Sequence, residues 1–128
     1  MAASEVMNRE IFEQWLTAYG SAWISRDAQR AASLYAQDAT YQVTPFDEPC
    51  RGLAAIYDYW KGVTSTEENI EFGYEVLSVM PEYGIARWWA SFVRVPHGLD
   101  TKLDGIFLVS LDSGGHCKSL REWWHKRQ

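Results

Sequence analysis

From about residue 68 onward the side chains alternate with period two over four long stretches, 68–80, 84–96, 101–112 and 116–126. Alternation of that length sends successive side chains to opposite faces of a sheet. The stretches break at Pro81-Glu-Tyr-Gly84, Pro96-His-Gly98 and Asp112-Ser-Gly-Gly115, where proline and glycine turn the chain, so consecutive strands run antiparallel. Such a meander has a whole face to bury.

The first half of the chain supplies what covers it. Residues 5–25 carry apolar side chains at 11, 12, 15, 16, 19 and 23, the spacing of a helix with a wide buried face, and Trp15, Tyr19 and Trp23 stack along it at intervals of four. Asp27 is a natural N-cap for a shorter helix over Ala28–Ala36, with Ala31, Leu34 and Tyr35 on one face. Ala39 to Thr44 is β-prone, and Pro45 and Pro49 keep the next segment extended or turning. Gly52 opens a third helix, Leu53 to Trp60, whose apolar face is Leu53, Ile56, Tyr57 and Trp60. Helices followed by an antiparallel meander predict one α+β domain over residues 1–128, with the helices on one face of a curved sheet. Seven Trp, seven Tyr and five Phe in 128 residues exceed what so small a core requires. Aromatic side chains at that density fill a core or wall a pocket, and for Trp15, Trp23, Trp88 and Phe92 both readings stand.

Charge and motif content exclude several functions. A net charge of −5 with dispersed basic residues leaves no footprint for a phosphate backbone, so nucleic acid is not an expected partner. The N-terminus lacks the basic flank and apolar run of a signal peptide, and no stretch approaches the roughly 18 apolar residues of a membrane span. A cytoplasmic protein that meets no membrane is expected. Cys50 and Cys117 have no metal-site spacing and suit a reduced compartment; His97 and His116 sit in turns and His125 lies opposite the expected pocket face, so neither a metal site nor a nucleophile triad is expected. There is no Gly-rich phosphate loop or nucleophile elbow.

The order of elements, together with Leu34-Tyr35-Ala36-Gln37-Asp38-Ala39-Thr40, Glu48-Pro49-Cys50-Arg51-Gly52 and Ala54-Ala55-Ile56, resembles the nuclear transport factor 2-like superfamily. Within it the chain is similar to the ketosteroid isomerases and the SnoaL-like polyketide cyclases. The resemblance implies a cone, with three N-terminal helices packed in a strongly curved, mainly antiparallel sheet that dimerises through its outer face. The fold hosts isomerases, dehydratases, cyclases, epoxide hydrolases and plain binding proteins, so it does not give function by itself.

Position by position, the resemblance implies that Tyr19 is an oxyanion donor and that Asp104, in Leu103-Asp104-Gly105, is the carboxylic acid held protonated beside it, with Tyr35 in support. The pocket wall would be Trp15, Trp23, Tyr41, Val43, Phe46, Trp60, Trp88, Phe92, Ile106, Leu120 and Trp124, leaving Trp89, Val93, Phe107 and Leu111 for a homodimer interface. The isomerases' catalytic aspartate has no counterpart. Counting from Ala39 puts Val43 there and aligning the prolines puts Thr44 there, and neither abstracts a carbon-bound proton. Glu122 shares a strand face with Leu120 and Trp124, so it is either a replacement proton carrier opposite Asp104 or the structural partner of Arg94 or Arg87. Two functions follow. The first is a cofactor-independent isomerase, dehydratase or cyclase using Tyr19, Asp104 and Glu122. The second is a non-catalytic protein that encloses a small apolar or aromatic molecule, or a dimeric scaffold.

Overall fold

The computed structural model describes residues 7–128, so the first two positions of the expected first helix lie outside the described residues. Helix α1 (Arg9–Ile24) starts where the Asn8 side chain accepts a hydrogen bond from the Ile11 amide at 2.9 Å. It buries Phe12, Trp15, Leu16, Tyr19, Ala22 and Trp23. Helix α2 (Ala28–Ala32) is capped by the Asp27 side chain, which accepts from the Arg30 amide, and it is shorter than its composition predicts. The Cys117 amide donates to the Leu34 carbonyl at 2.9 Å, so sheet pairing claims the chain from Tyr35 onward as β1 (Tyr35–Gln42). Tertiary pairing outweighs the weak helical preference of a few alanines. A two-residue strand β2 (Cys50–Arg51) leads into α3 (Gly52–Thr66), which runs six residues past Trp60 in spite of Gly62.

The meander follows as β3 (Glu67–Val79), β4 (Gly84–Arg94), β5 (Leu99–Leu111) and β6 (Cys117–Arg127), within two residues of the expected limits. Among the described residues the sheet has six strands in the order β2-β1-β6-β5-β4-β3. Every pairing is antiparallel except β1 with β6, which is parallel and sets Tyr41 beside Leu120. The domain is α+β, with three helices against a curved, unclosed sheet, and among the described residues no helix is long and apolar enough to cross a membrane.

Register fixes which side chains face inward. One row across the sheet runs Trp88, Gly105, Trp124, and the next runs Ala86, Phe107, Glu122. Phe107 is fully buried, stacks on Trp88 at 5.0 Å between ring centroids, and meets Tyr19 edge-on at 5.2 Å. Leu111 is buried as well. Both are core residues and not the outer-face contacts expected of them. Trp89 and Trp123 do lie on the outer face, each 38% exposed.

Gly105 is the gap in the inward row. A Cβ there would strike the Trp123 carbonyl oxygen and lie 2.7 Å from the Trp124 Cβ, both carried by the adjacent strand backbone. Gly105→Ala is expected to destabilise the fold by about 1–3 kcal/mol through overpacking, read as a lower urea midpoint with unchanged slope.

Candidate functional site

Between the helices and the inner sheet face lies a cavity of about 480 Å³. Tyr19 and Trp23 enter it from α1, Tyr41 from β1, Tyr59, Trp60 and Val63 from α3, Trp88 from β4, Leu103 from β5, and Glu122 and Trp124 from β6. Glu67 at the start of β3 also faces it, with Asp58, Thr66, Arg94 and Lys126. A larger groove of about 640 Å³ lies on the outer face against Arg87, Trp89, Asp104 and His125, but it holds no buried ionisable group. Acid–base chemistry therefore points to the inner cavity.

Glu122 is 3% exposed. The Tyr41 hydroxyl donates to its Oε2 at 2.5 Å, and neither arginine named as a structural partner reaches it. Burial raises its pKa to about 8, against the opposing hydrogen bond from Tyr41, so this carboxyl is largely protonated at neutral pH. Tyr19, Tyr35 and Tyr41 are pushed well above the ordinary phenol value, first by burial and then mainly by neighbouring acidic groups, including Glu122. Two neutral hydroxyls, Tyr19 and Tyr41, and one neutral acid thus line the cavity, with Tyr35 buried outside the lining.

A second buried carboxyl lines the cavity, one that the sequence did not single out. Glu67, 4% exposed, accepts a 2.7 Å hydrogen bond on Oε1 from the Trp23 indole N–H, while the Arg94 guanidinium stands 3.9 Å from Oε2. Burial raises it to about 7, with Trp23 and Arg94 pulling the other way. Its sequence context, Glu67-Glu68-Asn69, gives no sign of burial, because the register shift between Glu68 and Glu71 hides which of the run turns inward.

Asp104 and Ile106 are the main corrections. Both point outward, on the face of Trp89 and Trp123, and Asp104 forms a bidentate pair with Arg87 at 2.6 and 3.1 Å. A one-residue slip along a strand transfers every side chain to the other face, and Leu103 takes the inward place. Phe46 is 98% exposed, because Gln42 and Thr44 close the proline-rich loop onto Asp47 and turn it away from the cavity. Val43 contributes only its carbonyl, which accepts from the Trp124 indole at 2.8 Å. Trp15 is a core tie whose indole N–H donates to the Leu34 carbonyl, Leu120 is fully buried beneath the lining, and Phe92 packs behind Trp23. Tyr19, Trp23, Tyr41, Trp60, Trp88, Glu122 and Trp124 line the cavity.

The two carboxyls make stability depend on pH with a definite sign. A carboxyl raised above its ordinary 4.5 favours the folded state while protonated, so its contribution is complete below that value and is lost as pH rises through the folded pKa, about 7 for Glu67 and about 8 for Glu122. Wild-type stability should fall by a few kcal/mol, in order of magnitude, between pH 5 and 8. Glu122→Gln keeps an acceptor for Tyr41 and removes the larger part of that slope, so its melting temperature relative to wild type should rise across the same interval.

Residues 13–118 match the model of the SnoaL-like domain family. The crystal structure of a protein named "putative isomerase" from Bacillus subtilis is similar over 93% of this chain and 90% of that one, with a TM-score of 0.82 and 20% identity. SalBIII, described as an epoxide hydrolase/cyclase-like enzyme with a role in pyran ring formation in the polyether salinomycin, is similar over 88% of this chain and 89% of its own, with a TM-score of 0.78 and 14% identity. At these identities the likeness is one of fold. No curated protein matches the sequence. The family match covers most of the chain, and the helices and curved sheet have the arrangement the superfamily implies: this chain belongs to the SnoaL-like domain family, in the nuclear transport factor 2-like superfamily.

Proposed function

We propose that the cavity binds a small apolar or aromatic molecule carrying a carbonyl or hydroxyl group, and performs acid–base chemistry of isomerase or cyclase type on it without a metal or organic cofactor. The observation that carries this reading is Glu122, a protonated acid at the inner end of an aromatic cavity, braced by Tyr41 with Tyr19 nearby. Tyr19 and Glu122 both donate to a ligand oxygen, and donors aimed at developing negative charge in a water-poor site are worth far more than in water. Glu122 takes over the part that the family resemblance assigned to Asp104. Near neutral pH it is the acid of the site.

The test uses 2-tetralone, an aromatic ketone with acidic hydrogens beside its carbonyl. Wild-type protein should speed the loss of deuterium from α-deuterated 2-tetralone in water above the buffer rate. Glu122→Gln should lower that rate by roughly 10²-fold, since an amide cannot hand over a proton, while tryptophan quenching by 2-tetralone changes little. Tyr19→Phe should weaken quenching several-fold, the loss of one buried hydrogen bond of about 1 kcal/mol, and Asp104→Asn should leave both readouts unchanged. Quenching without any exchange by the wild type would make the protein a container.

We also propose a homodimer through the outer sheet face. Trp89 and Trp123 stand there half-exposed, each with an arginine, Arg87 or Arg121, over its ring. Light scattering at micromolar concentration should give twice the chain mass, and Trp89→Glu with Trp123→Glu should return it to one.

A further inference from the structure

The chemistry proposed above has an acid but no base. Val43 and Thr44, the positions where the resemblance expects a base, have no proton-accepting side chain of suitable strength, and Thr44 is occupied with Asp47. Among the described residues three carboxyl groups face the cavity: Asp58, Glu67 and Glu122. Asp58 is exposed and solvated, and Glu122 is bound to Tyr41. Glu67 remains.

Its surroundings fit a base held in position. The Trp23 indole fixes Oε1 with a single neutral hydrogen bond at 2.7 Å, and the 3.9 Å gap between Arg94 and Oε2 is too long for a direct hydrogen bond. Oε2 therefore keeps a lone pair free. A bidentate arginine would have made the group a weak base; one distant guanidinium only moderates it. Trp23 and Arg94 are its immediate neighbours, and the titratable groups that share the cavity with it are Tyr19 from α1, Tyr41 from β1, Asp58 and Tyr59 from α3, and Glu122 and Lys126 from β6. Trp23 is itself buried and packed on Trp60, Phe72 and Trp88, so the carboxylate is anchored to the core.

We propose that Glu67 is the catalytic base of this cavity, working with Glu122 as the acid. The inference rests on the acid–base reading of the site. Glu67 Oε2 takes a proton from the carbon beside the ligand's carbonyl. The released C–H pair becomes a carbon–carbon double bond, and the carbonyl π pair takes the Glu122 proton, giving the enol, protonated Glu67 and ionised Glu122. Reversal restores both groups: the proton on Glu67, exchanged with water that enters the cavity, is delivered either to the same carbon, which replaces deuterium by hydrogen in a labelled substrate, or, in a conjugated substrate, to one two bonds further along, which moves the double bond. No electrons are gained or lost. Burial raises both groups but leaves Glu67 at about 7 and Glu122 at about 8, so between these values the first is mostly ionised while the second is mostly protonated.

The deciding experiment is the pH profile of deuterium loss from α-deuterated 2-tetralone. For the wild type the rate should rise through pH about 7 and fall above about 8. Glu67→Gln, which keeps an acceptor for Trp23, should lose roughly 10²-fold in rate with quenching by 2-tetralone within about threefold of wild type. Glu67→Asp should keep the rising limb at a lower rate. Arg94→Gln should move that limb to higher pH, because Arg94 is one of the influences that lower Glu67. A Glu67→Gln protein with the wild-type rate and rising limb would overturn the assignment to Glu67 alone and leave Glu122 standing. A Glu67→Gln chain that does not fold shifts the decision to the wild type and Arg94→Gln, where a rising limb that is missing or unmoved overturns the proposal. No exchange by the wild type would remove the acid–base reading and this inference with it.

Discussion

The hydrogen bond from Tyr41 to Glu122 holds together parts of the chain that are 81 residues apart. It is made possible by the one parallel pairing in the sheet, which brings β1 alongside β6 and sets Tyr41 next to Leu120. Without it a carboxyl would be buried with no donor, at a cost of several kcal/mol. With it, the acid is tolerated but not ionised, since one neutral hydroxyl does not replace the hydration of a charge. The protonation state of the cavity is thus set by strand topology.

Most of the fold could be read in the sequence because the meander's period-two pattern and its Pro/Gly breaks are local signals, and α1's aromatic spacing is equally local. The parity of β6 was also legible: Leu120, Glu122 and Trp124 turn inward together. What failed was non-local. On β5 both faces carry apolar side chains, Leu103, Phe107 and Val109 against Ile106 and Leu108, so alternation does not say which is inside, and the family comparison chose wrongly for Asp104 and Ile106. The polar side chains of Lys102 and Asp104 on one face were the available warning. The early end of α2 and the outward turn of Phe46 depend on partners distant in sequence or on loop hydrogen bonds that composition does not encode. Glu67 was hidden by a register shift next to two other polar residues.

The aromatic surplus resolves into a continuous assembly. Tyr19 touches Trp15, Trp23, Trp60, Phe72 and Phe107, and Trp23 reaches on to Trp88 and Phe92. Core and cavity wall are the same rings seen from two sides, so the alternative between filling a core and walling a pocket does not arise for Trp23, Trp60 and Trp88. Rings packed at such angles hold position by dispersion and by their quadrupoles. That rigidity is what the proposed acid and base need to keep their aim.

The lining is nevertheless of two kinds. Trp23, Trp60 and Trp88 are buried and shared with the core, whereas Tyr59, Val63, Leu103 and Trp124 are half-buried and touch it only from outside. Substitution at the first group disturbs the core and the cavity wall together, and at the second mainly the wall. In a family that shares one cone among unlike reactions, this separation gives drift a direction. The shape of the cavity is free to diverge along α3 and the outer ends of β5 and β6, while the indoles beneath them stay fixed by the demands of folding.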